Sequence, residues 1–240
     1  MPNTWIVPNI WDGGTVWIIG GGPSLTEQFN IPDEVVQQVR KGEAKPNIYS
    51  SYMEVLHDRH VIGVNAAFMI GNWIDMVFFG DKKFYTMYAK QLASFRGLKV
   101  TCADYFSNLR GAKENIRYLA KDKQKTWGIS PNPKMVGWNS NSGAAAISVA
   151  ANAKAKRIIL LGFDMKLDEK QNQHWHNAYK LKGTSGKKNT LIKLPFKRHL
   201  KGFSAIAKDA KSRGIEIINA SPDSAIDVFK KMTVEEILNE

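Results

Sequence analysis

The sequence predicts an α/β fold: a mostly parallel sheet with helices on both faces. Three observations carry this. Short runs of β-branched and aromatic residues recur between stretches with helical spacing. Several of those runs are continuously apolar, as in strands buried on both faces, where one-sided strands would alternate. Four of them end in glycine or a polar residue, at Gly20, Asn65, Gly80 and Gly162. In sheets of this class ligands bind at the carboxyl ends of the strands.

The elements follow in order. "TVWIIG" (15–20) reads as a buried strand closed by glycine, and "IPDEVVQQVRKG" (31–42) as a helix. Pro32 belongs in its first turn, with Asp33 and Glu34 near the positive end of the helix dipole. "HVIGVN" (60–65) and "DMVFFG" (75–80) are the next strands. Helical spacing of Phe84, Met87, Tyr88 and Leu92 predicts a helix over 82–95, and "LKVTC" (98–102) a fourth strand. A helix is expected around 107–121, followed by a loop holding Pro131 and Pro133. The small residues of "SGAAAISVAANAKA" (142–155) let a helix lie close against the sheet, and "KRIILLG" (156–162) is the clearest buried strand. Residues 165–196 read as an irregular, basic, lid-like insertion. Beyond it, Phe203, Ile206, Ala207 and Ala210 share one helical face, and Gly214 stands where a helix C-terminal glycine belongs. "IEIIN" (215–219) is a last strand and "SAIDVFKKMTVEEILNE" supplies terminal helices. Without a repeat or a low-complexity linker, residues 1–240 are expected to form one domain carrying the insertion.

Composition bounds the function classes. Apolar content of 43% and charged content of 23% are ordinary for a globular chain. No stretch approaches the ~20 apolar residues of a membrane span. The first residues, "MPNTWIVPNIWDGG", lack a basic region followed by an apolar one, so no secretory signal is expected. The single cysteine, Cys102, suits a reducing compartment. A cytoplasmic location is expected on both counts. Lys and Arg exceed Asp and Glu by 12, and nine of those cations lie between Gln171 and Lys208, a window without one acidic residue. Such a block attracts polyanions or phosphorylated substrates, or simply solubilises a loop. Nucleic acid is therefore a candidate partner through residues 180–208, and an oligomer stays open.

The stretch "VWIIGGGPSL" (16–25) resembles a strand running into a phosphate-cradling loop. A P-loop requires a lysine after its glycines, and "PSLTEQ" has none. The dinucleotide fingerprint fits Gly20 and Gly22 but meets Leu25 at its third glycine. It also requires an acidic residue at the end of the second strand, where Asn65 stands. What survives is the physical core of the motif. Gly20, Gly21 and Gly22 permit a tight turn and close approach of a phosphate, Pro23 stiffens it, and Ser24 supplies a hydroxyl. The same residues also suit a plain strand-to-helix turn. At "NSNSGAAAIS", Asn141 or Ser142 caps the small-residue helix, and Gly143 lets a phosphate or ribose approach. Asp164, ending its strand, can orient a substrate hydroxyl, hold a histidine or bind Mg²⁺; with Asp81 it is the candidate metal pair. His174 and His176 in "HWH" would project together from a strand, as ligands or proton carriers. His199 lies among cations that lower its pKa, which suits a base that must be neutral near pH 7. His57 and His60 read as surface residues.

Four islands, "IIGGGPSL", "VIGVNAAF", "NSGAAAISVAANAKAKRIILLGFDM" and "IEIINASPDSAI", resemble in order and spacing the bacterial sialyltransferases of glycosyltransferase family 42. They also resemble the wider Rossmann-like set that contains 6-hydroxymethylpterin pyrophosphokinase-like proteins and phage proteins. The resemblance runs as islands from Val16 to about Phe229. It implies that Gly20–Ser24, Asn65, Ser142 and Gly143 hold a nucleotide, and that His199 is the nearest counterpart of the family's general base. Gly21 stands where that family has asparagine. Lys166 stands nearest the tyrosines that steady its leaving phosphate, and a lysine there suits a diphosphate as well as a monophosphate.

The resulting expectation is a glycosyltransferase that uses a CMP- or UDP-linked sugar and a hydroxyl acceptor, with a polyanion such as a glycan or modified DNA in a phage setting among the candidates. Its catalytic candidates are His199, His174, His176 and Asp164. Its nucleotide-binding candidates are Gly20, Gly21, Gly22, Pro23, Ser24, Asn65, Asp81, Asn141, Ser142, Gly143 and Lys166. Two alternatives stay open: a Mg²⁺-dependent diphosphotransferase of the pterin pyrophosphokinase type, and a nucleotide- or nucleic-acid-binding module without catalysis.

Overall fold

The computed structural model describes residues 5–108, 114–176 and 194–240. Its strands are β1 (Thr15–Ile19), β2 (His60–Val64), β3 (Met76–Phe79), β4 (Leu98–Thr101), β5 (Ile116–Tyr118), β6 (Ala120–Lys121), β7 (Met135–Val136), β8 (Arg157–Leu161), β9 (Glu216–Asn219) and β10 (Lys230–Lys231). Eight of them form one sheet in the order β10-β9-β8-β1-β2-β3-β4-β5, and β6 and β7 form a separate pair. Every pairing is parallel. The expected α/β, Rossmann-like architecture is what the chain adopts.

The strands are buried on both faces, which is why their sequences run apolar without alternation. Val16 and Ile18 enter one core layer with Ile158 and Leu160. Trp17 and Ile19 enter the opposite layer with Ile159 and Leu161. Each such side chain, taken fully out of water, contributes about 1.5–3 kcal/mol.

The helices are α1 (Ser24–Gln28), α2 (Asp33–Lys41), α3 (Lys82–Ser94), α4 (Ser142–Asn152), α5 (Phe196–Leu200), α6 (Phe203–Ser212) and α7 (Val234–Leu238). Helix α4 is buried from Gly143 to Asn152, and its alanines bring it close under the sheet. Helix α6 covers the same layer through Phe203, Ile206 and Ala210. The other layer is closed by Val36 and Val39 of α2, Phe84 and Leu92 of α3, and Tyr49, Met53 and Leu56 of a 3₁₀ segment, Pro46–Leu56. Among the described residues no helix is long and apolar enough to cross a membrane.

Three expectations change. Residues 116–118 form an edge strand, not part of a helix. Ile116 and Tyr118 are buried and Arg117 exposed, a period of two that the short run concealed. Residues 109–113 of the expected helix lie outside the described residues, as do 177–193 of the expected insertion. The tail is not all helix either: Lys230–Lys231 pair with β9 before α7 begins at a Thr233/Glu236 capping box. The T-x-x-E spacing was visible as a start signal. Finally, the segment "FKRHLKGFSAIAKDAKSRG" that runs up to Gly214 holds two helices, α5 and α6, separated at Lys201–Gly202. A Cβ at Gly202 would stand 2.6 Å from the Asn139 side-chain oxygen, so glycine lets this break rest on Asn139. Gly214 follows α6 with φ +60, as a C-terminal glycine should.

The strand order also locates a crevice. From β1 the chain steps outward to β5, then returns to β8 on the other side of β1. Connections therefore diverge above the carboxyl ends of β1 and β8, the topological switch point where open α/β sheets take ligands.

Candidate active site

At that switch point the glycine loop is first of all a protein-to-protein joint. The Gly20 N–H donates to the Leu161 carbonyl at 2.7 Å and the Gly22 N–H to the Gly162 carbonyl at 2.8 Å. Both carry the β1–β8 ladder past the strand ends. A Cβ on Gly20 would lie 2.7 Å from the Gly162 oxygen, and one on Gly22 would lie 2.3 Å from the Asp164 carboxylate. The Asp164 carboxylate accepts the Ser24 backbone N–H at 3.0 Å and the Ser24 hydroxyl, whose oxygen is also 2.8 Å from Ser221 Oγ. The electropositive start of α1 thus faces a carboxylate from the chain itself. The Ser24 hydroxyl, which the sequence offers both to a phosphate and to a plain strand-to-helix turn, here joins the segment after β1 to the one after β8. Burial pushes the Asp164 pKa up, against its hydrogen bonds from Ser24 and Ser221 and the charge of Lys166.

The "HWH" segment lies across this joint. Trp175 is fully buried, its indole N–H donating to the Gly20 carbonyl at 2.9 Å and its backbone N–H to the Gly21 carbonyl at 3.1 Å. His174 and His176 flank it on one side, with ring centroids 5.0 Å apart and planes within 5° of parallel. The two imidazoles do project together, although the segment is not a strand. His174 Nδ1 lies 3.3 Å from the Gly21 carbonyl. A Cβ on Gly21 would come within 2.9 Å of that nitrogen, so histidine packing requires glycine here.

His199, on α5, completes a set of three. Burial lowers its pKa to about 4, helped by the Arg198 charge, with Arg198 Nη2 3.5 Å from His199 Nε2. Burial likewise lowers His174 to about 4, opposed by its Gly21 contact and aided by His199. His176 too is held well below the ordinary histidine value, by burial first and then by His174 and Arg40. All three imidazoles are neutral at pH 7. This carries a stability consequence with a definite sign. An unfolded chain takes up protons below about pH 6.5, whereas folded His174 stays neutral to about 4. Stability is fully present above the unfolded value and is lost as pH falls toward the folded one. His174 alone should cost the fold roughly 2–3 kcal/mol between pH 7 and 4.5. Urea midpoints at the two pH values check this, and His174→Asn should flatten the difference. Asp164, with its raised pKa, acts in the opposite direction.

The opposite wall comes from β2, β3 and α4. Asn65 follows β2 with φ +51, and its side-chain oxygen is buried without a hydrogen-bond partner among the described residues. Asn141 caps α4, accepting the Gly143 N–H at 2.8 Å and the Ala144 N–H at 3.3 Å. This is the capping role the sequence offered to it or to Ser142. Asp81 caps α3 by accepting the Phe84 N–H at 2.8 Å. Among the described residues no group of three or more His, Cys, Asp or Glu is gathered to hold a metal. Asp81 and Asp164, the candidate metal pair, both line the same cleft, Asp81 as the cap of α3 and Asp164 bonded to Ser24.

These walls enclose a cleft of about 740 Å³. It is lined by Gly20–Gly22, Asn65, Asp81, Asn141–Gly143, Asp164, Lys166, His174, His176 and His199. All the sequence-predicted site residues meet there except Pro23 and Ser24, which line a second cleft of about 600 Å³ beyond Asp164 and Lys166. Sequence reasoning missed Lys83, Arg198 and Trp138, which line the first cleft too. Arg198 was within reach as the cation beside His199. Lys83 and Trp138 carried no signal, because only tertiary packing turns them to this crevice.

No protein-family model matches this sequence, and no curated protein does. Among solved structures the chain is similar to the MAf glycosyltransferase from Magnetospirillum magneticum AMB-1, with TM-score 0.59 and 11% identity. That match covers 97% of this chain and 35% of the other, so the chain spans about a third of that protein. It is also similar to the sialyltransferase CstII from Campylobacter jejuni in complex with cytidine-5'-monophosphate, with TM-score 0.47 and 16% identity, over 91% of this chain and 84% of the other. A second CstII structure, in complex with CMP-3FNeuAc, gives TM-score 0.46 and 16% identity over 91% and 86%. At these identities the likeness is one of fold, and the fold is one that a glycosyltransferase uses.

Proposed function

We propose that the protein is a glycosyltransferase that binds a nucleotide-linked sugar, CMP- or UDP-linked, in the switch-point cleft and transfers the sugar to a hydroxyl acceptor. The observation that carries this reading is the convergence of three neutral histidines and three cationic side chains, Lys83, Lys166 and Arg198, on one cleft. Cations answer the phosphates of a donor, and a neutral imidazole answers the proton of an acceptor. The fold shared with the MAf glycosyltransferase supports it.

His199 is the base in this reading, being less buried than His176 and not tied to the glycine loop as His174 is. Its unprotonated ring nitrogen takes the acceptor's proton as the acceptor oxygen bonds to the donor's anomeric carbon. The bond from that carbon to the phosphate oxygen breaks, and its electron pair leaves with the nucleotide. Lys166, Arg198 and Lys83 stabilise the negative charge that develops there. An imidazole of pKa about 4 is a weak proton acceptor, but the departing phosphate's charge favours its cationic form. The exposed Lys197, Arg198 and Lys201 of α5 and its end favour a polyanionic acceptor, with nucleic acid as one class.

Thermal unfolding with CMP, UDP and their sugar conjugates, with and without Mg²⁺, tests the reading. A ligand at 100 times its Kd should add about 2.7 kcal/mol, a rise of roughly 5–11 °C in Tm for a chain of this size. No rise with any of them overturns it. AMP release from ATP that requires Mg²⁺ would move the protein to the diphosphotransferase reading, and binding without turnover to that of a binding module.

A further inference from the structure

Trp138 has no part in the chemistry above, yet it is among the most constrained residues of the cleft. Its ring is half-buried and lines the cleft, meeting the Ser142 hydroxyl at Gly80. The ring lies so close on the end of β3 that a Cβ at Gly80 would stand 2.3 Å from two of its carbons. Lys121 Nζ sits 5.0 Å from the ring centroid, a cation–π contact. The backbone after the ring is held as firmly. Asn139 is fully buried, and its side chain bonds the Gly128 N–H at 2.7 Å and the Gly128 and Gly137 carbonyls at 3.0 and 2.8 Å. Asn139 and Ser140 both take left-handed φ values, +52 and +51, a conformation that costs free energy and persists where the surroundings over-determine it. The Trp138 carbonyl then accepts the Asn141 N–H at 3.1 Å, which ties the ring to the cap of α4. The result is a rigid aromatic surface in the cleft wall, beside Gly80 and Ser142.

We propose that Trp138 is the stacking platform for the base of the donor nucleotide. The inference rests on the nucleotide-sugar reading and adds which side chain of the cleft holds the base. A flat, preorganised π-face pairs with a flat heterocycle at little conformational cost, and base–aromatic stacking tolerates different bases. The donor then lies with its base on Trp138, its phosphates toward Lys166 and Arg198, within reach of Lys83 at the start of α3, and its sugar toward His199. Trp138 acts as a positioning residue: it touches the part of the donor that does not react, and its effect falls on affinity.

The test compares binding of CMP, UMP and ribose 5-phosphate by calorimetry to the intact chain and to two variants. Trp138→Phe keeps a ring, and Trp138→Leu keeps bulk over Gly80 without one. The intact protein should bind the better nucleotide at least about 10-fold more tightly than ribose 5-phosphate. Trp138→Leu should lose about 10- to 100-fold in nucleotide affinity, with ribose 5-phosphate unchanged, and Trp138→Phe should recover most of the loss. Nucleotide should also quench indole emission in the intact protein, and that quenching should be absent in Trp138→Phe although binding persists. Nucleotide affinity unchanged in a folded Trp138→Leu protein overturns the platform and leaves the donor reading standing. Equal losses for nucleotide and ribose 5-phosphate assign the ring to the sugar and overturn it as well. Failure of the intact protein to bind either nucleotide overturns the donor reading and the platform with it.

Discussion

Replacing His199 with alanine is expected to slow sugar transfer about 10²–10⁴-fold, the usual contribution of a positioned general base. Nucleotide affinity should change little, because the phosphates are held by Lys83, Lys166 and Arg198, which also line the cleft. Steady-state rates and calorimetric binding on the same preparation separate the two effects. The pH profile adds a signature that a purely structural histidine would not show. With burial holding its pKa near 4, His199 is deprotonated and competent throughout the neutral range. The rate is lost only as protonation sets in below about 5. The acidic limb of kcat/KM, which reports the free enzyme, should therefore fall near pH 4 and not near 6.5, where an exposed histidine titrates. A limb near 6.5 would assign the base to a different group. His174→Asn serves as the comparison. A deficit as large as that of His199→Ala, with nucleotide affinity intact, would move the base to the glycine-loop histidine.

The second large effect concerns stability. Gly22→Ala should destabilise the fold by about 3 kcal/mol or more, through overpacking and loss of buried hydrogen bonds. For a chain of this size that is a fall in Tm of roughly 6–12 °C. The added carbon would sit 2.3 Å from the Asp164 carboxylate and 2.7 Å from the Gly162 carbonyl. Neither can yield cheaply. The carboxylate is held by the Ser24 N–H and hydroxyl, and the carbonyl already accepts the Gly22 N–H at 2.8 Å. Relieving the clash means parting β1 from β8 at the point where the cleft opens. Calorimetric scanning of the variant checks this. A Tm within 2 °C of the parent would show that the joint is looser than its geometry implies. Gly13 is the internal control for conformational cost alone: its φ is +77 and nothing lies within 4 Å of an added Cβ.

The site was legible in the sequence to the extent that it depends on strand ends. Gly20–Gly22, Asn65, Asp81, Asn141–Gly143 and Asp164 stand at the ends of apolar runs or the starts of helices. A parallel sheet places all such ends on one edge, whatever the order of its strands. The three histidines were legible as residue types in a polar or basic context. That they share one cleft was not, because nothing local says that His174 folds back over Gly21 while α5 carries His199 to the same crevice. The partner of Ser24 was hidden for the same reason: it lies 140 residues further along the chain. A serine beside glycines reads equally as a phosphate ligand and as a turn residue.

What the sequence by itself determined is the six inner strands β1–β4, β8 and β9, the close-packed helix α4 and the parallel sense of the sheet. These depend on local hydrophobic pattern and residue size, which the chain carries without reference to distant partners. Only the tertiary structure decided what the glycine motif touches within the chain. With β8 paired to β1, the Asp164 carboxylate stands at the start of α1, and the chain meets its own helix dipole. Trp175 covers the Gly20 and Gly21 carbonyls, and the histidines, Lys83, Arg198 and Trp138 line the cleft around the loop. The glycines permit close approach, as their lack of side chains implied. What approaches most closely is the protein itself, because contacts over such sequence distances are set by strand order and not by any local run of residues.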